Sequence, residues 1–241
     1  MVRRGARTVA EIRVEESDLV QPGARHTVRK MPRRKDDDPP AETPEPNKAN
    51  VDGCRRCELW EPATQGVPGE GPSTARILCV GEQPGNDEDL AGRPFVGPAG
   101  KLLRSLLTEA GITAAQCFLT NAVKHFNHEL RGKRRLHKTP LQRHVAACHV
   151  WLEAELQRVQ PKVIVTLGAT ALAAVLGRKV SIAQAREELL SHPISGVTIV
   201  ATYHPSAILR VPDPAARAAM RAQLLDDLRR AAKLAGRGRN R

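Results

Sequence analysis

Three short apolar segments of this chain end in, or are followed by, polar side chains that could do chemistry. Glu82 and Gln83 come directly after the first segment, Asn121 lies in the second, and His204 follows the third. A carboxylate can act as a general base, an amide can both donate and accept hydrogen bonds, and a histidine can donate to a developing anion. If the three segments lie side by side, these side chains meet in one site.

A fourth candidate is His137, which lies in a glycine-opened basic segment at residues 132–140. A neutral imidazole nitrogen is a nucleophile, and histidine is partly neutral at physiological pH. The segment also carries four cations that could hold phosphate groups: Lys133, Arg134, Arg135 and Lys138. A solvated basic loop is the plainer interpretation of the same residues.

The five cysteines of the chain favour a metal or iron–sulfur centre over disulfides. Cys54 and Cys57 form a C-x-x-C pair, whose spacing lets two thiolates reach one metal centre from a single turn. Cys79 and Cys117 lie within apolar segments, so we expect them to be inert packing residues.

The charge of the chain favours a polyanionic partner. Its formal net charge is +12, while aromatic residues make up only 2% of the sequence. The excess of cations is typical of proteins that bind nucleic acids, and the scarcity of aromatic rings argues against an extended base-stacking platform. No apolar run approaches the length of a membrane span, and the N-terminus lacks an apolar signal core, so we expect a cytoplasmic protein.

The sequence divides into a central folded domain and two charged tails. Residues 1–50 combine blocks of opposite charge with a proline-rich run and have almost no hydrophobic periodicity, which predicts a disordered tail. We expect one folded domain over residues 51–236 and a short basic tail over residues 237–241.

Short apolar runs alternate with amphipathic stretches across the folded domain. Four runs predict buried strands, at residues 76–81, 117–123, 162–168 and 197–202. Helices are predicted between them, including a long helix from residue 140 to about 159. This alternation predicts a three-layer α/β/α fold with a central four-stranded parallel sheet. In such sheets the reactive groups collect beyond the carboxyl ends of the strands, where the candidate residues lie.

Three motifs in the domain carry a family resemblance. Gly81–Gly85, Pro94–Gly97 and Tyr203–Ser206 occur in the order and at the strand ends typical of the uracil-DNA glycosylase superfamily, which the chain resembles from about residue 53 to residue 234. The C-x-x-C pair is similar to that of the iron–sulfur branch of the superfamily, the family-4 enzymes.

A narrower resemblance rests on Gln83 and the segment 133–137, which are similar to the UdgX group within the same superfamily. Leu136 stands where isoleucine is more typical, and this aliphatic exchange should not disturb the segment.

The superfamily resemblance implies roles for the residues at the strand ends. Asn121 would recognise the edge of a uracil flipped out of the DNA stack, and Phe95 would stack on its ring. His204 would hydrogen-bond to uracil O2 and stabilise the departing anion. Glu82 and Gln83 occupy the place where related enzymes hold the residue that assists attack at C1′ of the sugar.

The resemblance also implies residues that contact DNA around the flipped nucleotide. Ser206 and Arg210 would contact the neighbouring phosphates, and Arg135 and Lys133 would hold the basic segment on the DNA backbone. Asp89 is expected to have either a structural or a base-stacking role.

The UdgX resemblance implies that His137 attacks C1′ after uracil leaves, which gives a covalent protein–DNA adduct. This chemistry needs a neutral ring nitrogen near a developing cation and a base that removes the proton from the other nitrogen. Glu82 is the candidate for that base.

The family-4 resemblance implies a [4Fe–4S] cluster. Cys54, Cys57 and Cys148 match three of its ligand positions, and His125 stands where family-4 enzymes have a cysteine. We therefore expect three thiolates and one imidazole as ligands. A zinc site with the same four ligands is the alternative that these residues allow.

The sequence thus predicts a monomer that binds uracil-containing DNA and no membrane, excises uracil with a preference for single strands, and becomes covalently trapped through His137. A family-4 enzyme that turns over is the first alternative. A noncatalytic iron–sulfur protein that binds DNA is the second.

Overall fold

A computed structural model describes residues 43–188 and 190–236 of the chain. Most of the predicted N-terminal tail and all of the predicted C-terminal tail therefore lie outside the described residues. The last part of the predicted N-terminal tail is described, and a helix begins there at Lys48, where Asn47 caps it with a side-chain bond to the Asn50 N–H.

The described residues form helices and strands that largely alternate along the chain. The helices are α1 (Lys48–Asp52), α2 (Asn86–Ala91), α3 (Pro98–Glu109), α4 (Gln142–Val159), α5 (Ala169–Leu176), α6 (Ile182–Glu187), α7 (Pro205–Arg210) and α8 (Pro214–Gly236). The strands are β1 (Ile77–Gly81), β2 (Cys117–Asn121), β3 (His128–Arg131), β4 (Arg134–His137), β5 (Val163–Leu167), β6 (Leu190–Ser191) and β7 (Thr198–Thr202). In this part of the chain no helix is both long and apolar enough to span a membrane.

The central sheet has five strands in the order β2-β1-β5-β7-β6. Four of them are parallel and correspond to the four predicted strands. The predicted strand count was wrong by one, because β6 adds an antiparallel edge strand to β7. With only two residues, Leu190 and Ser191, β6 is too short to produce a periodic signal in the sequence.

Both faces of the sheet are covered, which confirms the predicted three-layer α/β/α fold. Successive side chains of a strand point to opposite faces, and in β1 Leu78 belongs to one apolar cluster and Cys79 to the other. The first cluster includes Leu152 of α4 and Leu172 of α5, whereas the second includes Leu224 of α8. Burial on both faces is the reason that the parallel strands appear in the sequence as continuous apolar runs.

The predicted basic loop is a β-hairpin. Strands β3 and β4 pair in antiparallel fashion, with His128 opposite His137, and Gly132 in the connecting turn has a φ of +61°. Only glycine adopts this left-handed conformation without strain. A two-stranded hairpin has little stability of its own, so contacts with the rest of the domain must hold it. The long helix predicted from residue 140 begins at Gln142, after a short connection from the end of β4 at His137.

Candidate active site

A cavity of about 600 Å³ opens at the carboxyl ends of the parallel strands. Its walls include eight of the residues that the sequence singled out: Glu82, Gln83, Phe95, Asn121, His137, His204, Ser206 and Arg210. Strand register explains part of this convergence, since Gly81 pairs with Asn121 across β1 and β2. The structure thus brings these predicted residues to one place from segments that are far apart in the chain.

Gly81 allows two functional side chains to lie over the end of β1. A Cβ atom at this position would come 2.7 Å from Cζ of Phe95 and would collide with the side-chain oxygen of Asn121. The Asn121 residue is only 3% exposed, and no hydrogen bond joins its side-chain amide to any other described residue. The amide is therefore available to a ligand in the cavity.

Phe95 is held in an unusual backbone conformation. Its φ is +56°, a value that a bulky residue rarely adopts, and Gly100 makes the necessary room because a Cβ there would overlap the Phe95 backbone. The Arg104 guanidinium donates a hydrogen bond to the Phe95 carbonyl at 3.2 Å. The Phe95 ring lies 6.5 Å from the His204 ring, with an angle of 29° between the two planes. The contacts with Gly100 and Arg104 hold Phe95 in this strained conformation, which places its ring next to Gly81 and the Asn121 amide.

His204 caps the N-terminus of α7 and is oriented by Ser206. Its Nδ1 accepts a hydrogen bond from the Ser206 backbone N–H at 3.2 Å and lies 2.8 Å from the Ser206 hydroxyl. Burial lowers the pKa of His204 to about 4, because the charged ring loses its hydration, and the nearby Glu82 carboxylate only partly opposes this effect. At neutral pH the ring is uncharged, and since Nδ1 accepts, the proton is on Nε2.

The Glu82 carboxylate has one partner for each oxygen. Its Oε1 lies 3.2 Å from Nε2 of His137, and its Oε2 accepts a hydrogen bond from the Thr170 hydroxyl at 2.6 Å. Burial raises the pKa of Glu82, but the hydrogen bonds from His137 and Thr170 outweigh burial and leave the pKa below its ordinary value. Glu82 is therefore ionised at neutral pH, next to a histidine whose side chain is 48% exposed.

Gln83 uses its side chain to hold the base of the hairpin. Its amide nitrogen donates to the carbonyl oxygens of Asn127 and Lys138, and its amide oxygen accepts from the Asn127 N–H. These residues immediately precede β3 and follow β4. Gln83 borders the cavity, but its amide is engaged by the hairpin backbone, so it joins the loop after β1 to the base of the hairpin.

Three predicted DNA-contacting or substrate-binding residues lie outside the cavity walls. Asp89 is completely buried and accepts hydrogen bonds from the Thr64 N–H and, at 2.6 Å, from Arg135. Arg135 also donates to the Asn86 side chain, so it anchors β4 to α2. Of the structural and base-stacking roles expected for Asp89, these contacts favour the structural role. Lys133 is exposed at the tip of the hairpin.

The predicted cluster ligands gather near α1 and α4. Cys54 and Cys57 pack against the apolar cluster that contains Cys148. The Cys148 thiol accepts a hydrogen bond from the Lys124 N–H at 3.2 Å, and Trp151 donates to the Cys54 sulfur at 3.3 Å. The pKa of Cys148 is raised to about 12, mainly by burial, with smaller contributions from the neighbouring Cys57 and Cys54, while the Lys124 N–H and ammonium act in the opposite direction.

The fourth predicted ligand, His125, is also buried, and burial lowers its pKa. Backbone and indole N–H groups that donate to cysteine sulfur are found around iron–sulfur clusters, where such hydrogen bonds tune the cluster. Over residues 43–188 and 190–236, however, no group of three His, Cys, Asp or Glu side chains is arranged to hold a single metal ion. The sulfur atoms of Cys79 and Cys117 lie 3.6 Å apart in the buried sheet, in the apolar cluster that does not contain Cys148.

Sequence reasoning missed four residues that support the site. Glu88 accepts hydrogen bonds from the N–H groups of Gly85 and Gly97 and so joins the two loops that follow β1 and precede α3. Its position three residues after a glycine N-cap is a spacing signal that could have indicated this role. Thr170, Lys124 and Glu155 gave no such signal, because the contacts between Thr170 and Glu82 and between Lys124 and Glu155 join residues that are far apart in the sequence.

Comparisons with known proteins agree with this architecture. A family model described as the uracil DNA glycosylase superfamily matches residues 68–229. A type-4 uracil-DNA glycosylase from Thermotoga maritima is 41% identical over 161 residues, which cover 66% of this chain and 80% of the relative. A type-4 uracil-DNA glycosylase from Sulfurisphaera tokodaii is 34% identical over 173 residues, which cover 69% of this chain and 76% of the relative. A type-5 uracil-DNA glycosylase from Pyrobaculum aerophilum is 30% identical over 180 residues, which cover 67% of this chain and 74% of the relative. Since the family match extends over more than half of the sequence, the chain belongs to the uracil-DNA glycosylase superfamily.

Proposed function

We propose that this protein excises uracil from DNA. The observation that carries the proposal is the Asn121 amide, which has no hydrogen-bond partner within residues 43–188 and 190–236, beside the Phe95 ring and the neutral His204 in one cavity. The type-4 and type-5 names of the relatives support the same activity. An enzyme that acts on a base must take it out of the stack into a pocket, and this cavity lies at the sheet edge where such pockets form.

Recognition of uracil follows from the polar groups of the cavity. The Asn121 amide can donate to uracil O4 and accept from N3–H, a pair of bonds that cytosine cannot reproduce. Phe95 supplies the stacking face, and base–aromatic stacking contributes about 1–3 kcal/mol per base. Arg210, Lys133 and Arg134 are exposed around the cavity and at the hairpin tip, where they would hold phosphates.

Cleavage of the glycosidic bond develops negative charge on uracil and positive charge on the sugar. The Nε2–H of neutral His204 would donate to uracil O2 and stabilise the leaving anion, as an oxyanion-hole donor does. The ionised Glu82 carboxylate would stabilise the oxocarbenium character at C1′. Both charges are thus met by groups that are already in the required protonation state.

We further propose that His137 captures the sugar. In this step the bond between C1′ and uracil N1 breaks, its electron pair leaves with uracil, and one neutral ring nitrogen of His137 bonds to C1′. The other ring nitrogen gives its proton to Glu82, which lies 3.2 Å away. The product is a neutral alkylated imidazole joined to DNA. The support for this finer proposal is the His137–Glu82 contact together with the similarity of the segment 133–137 to the UdgX group.

The alternative is a type-4 enzyme in which water attacks C1′ and the protein turns over. The names of the relatives favour it. The Glu82 carboxylate could take a proton from an attacking water as readily as from His137. The two functions differ in stoichiometry, because a covalently trapped enzyme acts once.

One experiment separates these functions. The protein is incubated with excess uracil-containing single-stranded DNA, and free uracil and SDS-stable protein–DNA adduct are both measured over time. Uracil release that stops at one equivalent, together with an adduct, supports capture, whereas continued release without adduct supports turnover. Binding without release would overturn the glycosylase proposal and leave a noncatalytic DNA-binding protein.

The His137→Ser variant tests the residue itself, and we expect it to lose the adduct while retaining uracil release. His149→Ser is the matched control, since the His149 side chain is 42% exposed and does not line the cavity. An adduct that persists in His137→Ser, or that disappears in His149→Ser, would contradict the assignment.

We also propose that Cys54, Cys57, Cys148 and His125 would hold a [4Fe–4S] cluster with a structural role, pinning the C-x-x-C segment to α4. Analysis of iron, zinc and acid-labile sulfide in the purified protein tests this proposal. Four irons and four sulfides per chain are expected from the cluster formula, and one zinc without sulfide would support the zinc alternative instead. Cys148→Ala should lose the iron, while Cys79→Ala should retain it.

A further inference from the structure

Thr170 lies where it can control the carboxylate of Glu82. It is the second residue of α5, and its hydroxyl donates to Glu82 Oε2 at 2.6 Å. The other carboxylate oxygen, Oε1, is the one that faces His137 at 3.2 Å. With Oε2 held in this way, rotation of the carboxyl group is restricted, and Oε1 stays directed at the histidine ring.

The chain is shaped to bring Thr170 to this point. Gly168, the residue before α5, has a φ of +89°, which strongly favours glycine, and it lies next to the Cβ of His204. The Gly168 N–H donates to the Thr202 carbonyl at the end of β7. This turn directs the first residues of α5 toward the end of β1, where Glu82 begins the next loop.

The environment of Thr170 also favours the charged form of Glu82. The N-terminus of a helix carries a partial positive charge, and Thr170 is in the first turn of α5. The titratable groups that face Glu82 are His137 on β4 and His204 before α7. His204 is neutral at neutral pH, so it does not offer Glu82 a full positive charge. The Thr170 hydroxyl and the start of α5 therefore stabilise the Glu82 carboxylate instead.

We infer that Thr170 is a positioning residue for covalent capture: its hydroxyl orients the Glu82 carboxylate and keeps it ready to take the proton that His137 releases. This inference rests on the proposed function, because it concerns the proton that leaves the ring when the other nitrogen bonds to C1′. No hydrogen bond joins Thr170 to His137 among the described residues, and the effect of Thr170 passes through Glu82.

The inference predicts a specific defect in Thr170→Val, an almost isosteric change that removes only the hydroxyl. A hydrogen bond to a charged group is lost, so the rate of adduct formation in a single turnover at pH 7 should fall about tenfold. The acidic limb of the rate against pH should also move to higher pH, because the carboxylate has lost a bond that favours its ionised form. Thr170→Ser should restore both the rate and the pH profile.

Two controls make the experiment decisive. Thr108→Val makes the same change in α3, where the hydroxyl bonds only to the Arg104 carbonyl of its own helix, and it should behave like wild type. The affinity of each variant for uracil-containing DNA is measured in parallel, and Thr170→Val should retain wild-type binding.

The outcomes distinguish this inference from the function on which it rests. A wild-type protein that forms no adduct overturns both. A wild-type protein that forms the adduct, with a Thr170→Val variant that matches it in rate and pH profile, overturns the role of Thr170 alone. A uniform loss of rate with no change in pH profile, also seen in Thr170→Ser, would likewise overturn it, since that pattern indicates a packing defect.

Discussion

Replacing Lys124 with methionine should strongly destabilise the protein. Lys124 and Glu155 form an ion pair at 2.7 Å in which both side chains are 0% exposed. The Lys124 ammonium also donates to the Thr120 hydroxyl at 2.7 Å and to the Asn121 carbonyl at 2.9 Å, so each of its three protons has an acceptor. Methionine fills similar space but supplies none of these bonds.

The size of the effect follows from the charge that remains. In Lys124→Met the Glu155 carboxylate stays in the core, where its remaining partners among the described residues are the Thr120 hydroxyl and the Gly69 N–H. Removing one member of a buried pair costs about 3–5 kcal/mol, because the other charge loses its compensation without regaining water. The free energy of unfolding of a typical domain is about 5–15 kcal/mol, so the loss is a large fraction of the total.

Urea denaturation at pH 7, followed by circular dichroism, measures this loss. Lys101→Met is the matched control, because Lys101 is exposed on α3, and it should change the free energy of unfolding by less than about 0.5 kcal/mol. We expect the double variant with Lys124 and Glu155 both changed to Met to be more stable than Lys124→Met alone, since it contains no unpaired buried charge. A loss below about 1 kcal/mol in Lys124→Met would refute the reasoning that the pair is desolvated and mutually dependent.

Three further predictions concern the cavity and the hairpin. In Gly100→Ala the new methyl group would overlap the Phe95 backbone, so we expect a loss of about 1–3 kcal/mol in thermal denaturation and slower uracil release; wild-type behaviour in both would contradict the strained Phe95 conformation. Because the pKa of His204 is about 4 in the folded protein and about 6.5 when unfolded, the unfolded state binds the proton first as pH falls, so the contribution of His204 to stability is complete above pH 6.5 and is lost toward pH 4. Urea denaturation at several pH values should show that the free energy of unfolding falls between pH 6.5 and pH 4 in wild type and falls less in His204→Gln. An equal fall in the two proteins would contradict this prediction. Arg135→Met should lower the free energy of unfolding by about 3 kcal/mol, whereas Lys133→Met should leave it unchanged and weaken DNA binding with a smaller salt dependence. The reverse pattern would mean that Arg135, not Lys133, contacts the phosphates.

The parallel strands were predictable because their signal is local. Each is a continuous apolar run, since helices cover both faces of the sheet, and the predicted bounds differ from the observed ones by no more than two residues. The hairpin was not predictable in this way. Its strands are mostly exposed and charged, so they have no apolar period. The contacts that hold them include the ion pair between Arg135 and Asp89 and the hydrogen bonds from Gln83 to the hairpin base.

The roles of neighbouring polar residues depended on contacts that the sequence does not reveal. Glu82 and Gln83 are adjacent, yet the Glu82 carboxylate faces His137 while the Gln83 amide is hydrogen-bonded to the hairpin backbone. Arg135 was expected to hold the basic segment on the DNA backbone, and Asp89 to have a structural or base-stacking role. In the structure the two side chains form an ion pair with each other. Which side chain faces the cavity is set by the path of the backbone after β1, and this path is fixed by contacts with residues far along the chain.

The sequence by itself determined the α/β class, the four parallel strands and the set of polar residues that follow them, because apolar runs and strand-end residues are local features. It also indicated the superfamily through short motifs at those strand ends. Only the tertiary structure decided that His137 lies against Glu82, that Thr170 holds the same carboxylate, and that Lys124 and Glu155 are buried together. These pairings join residues separated by 31 to 88 positions, and they form only when the hairpin, α4 and α5 pack against the central sheet.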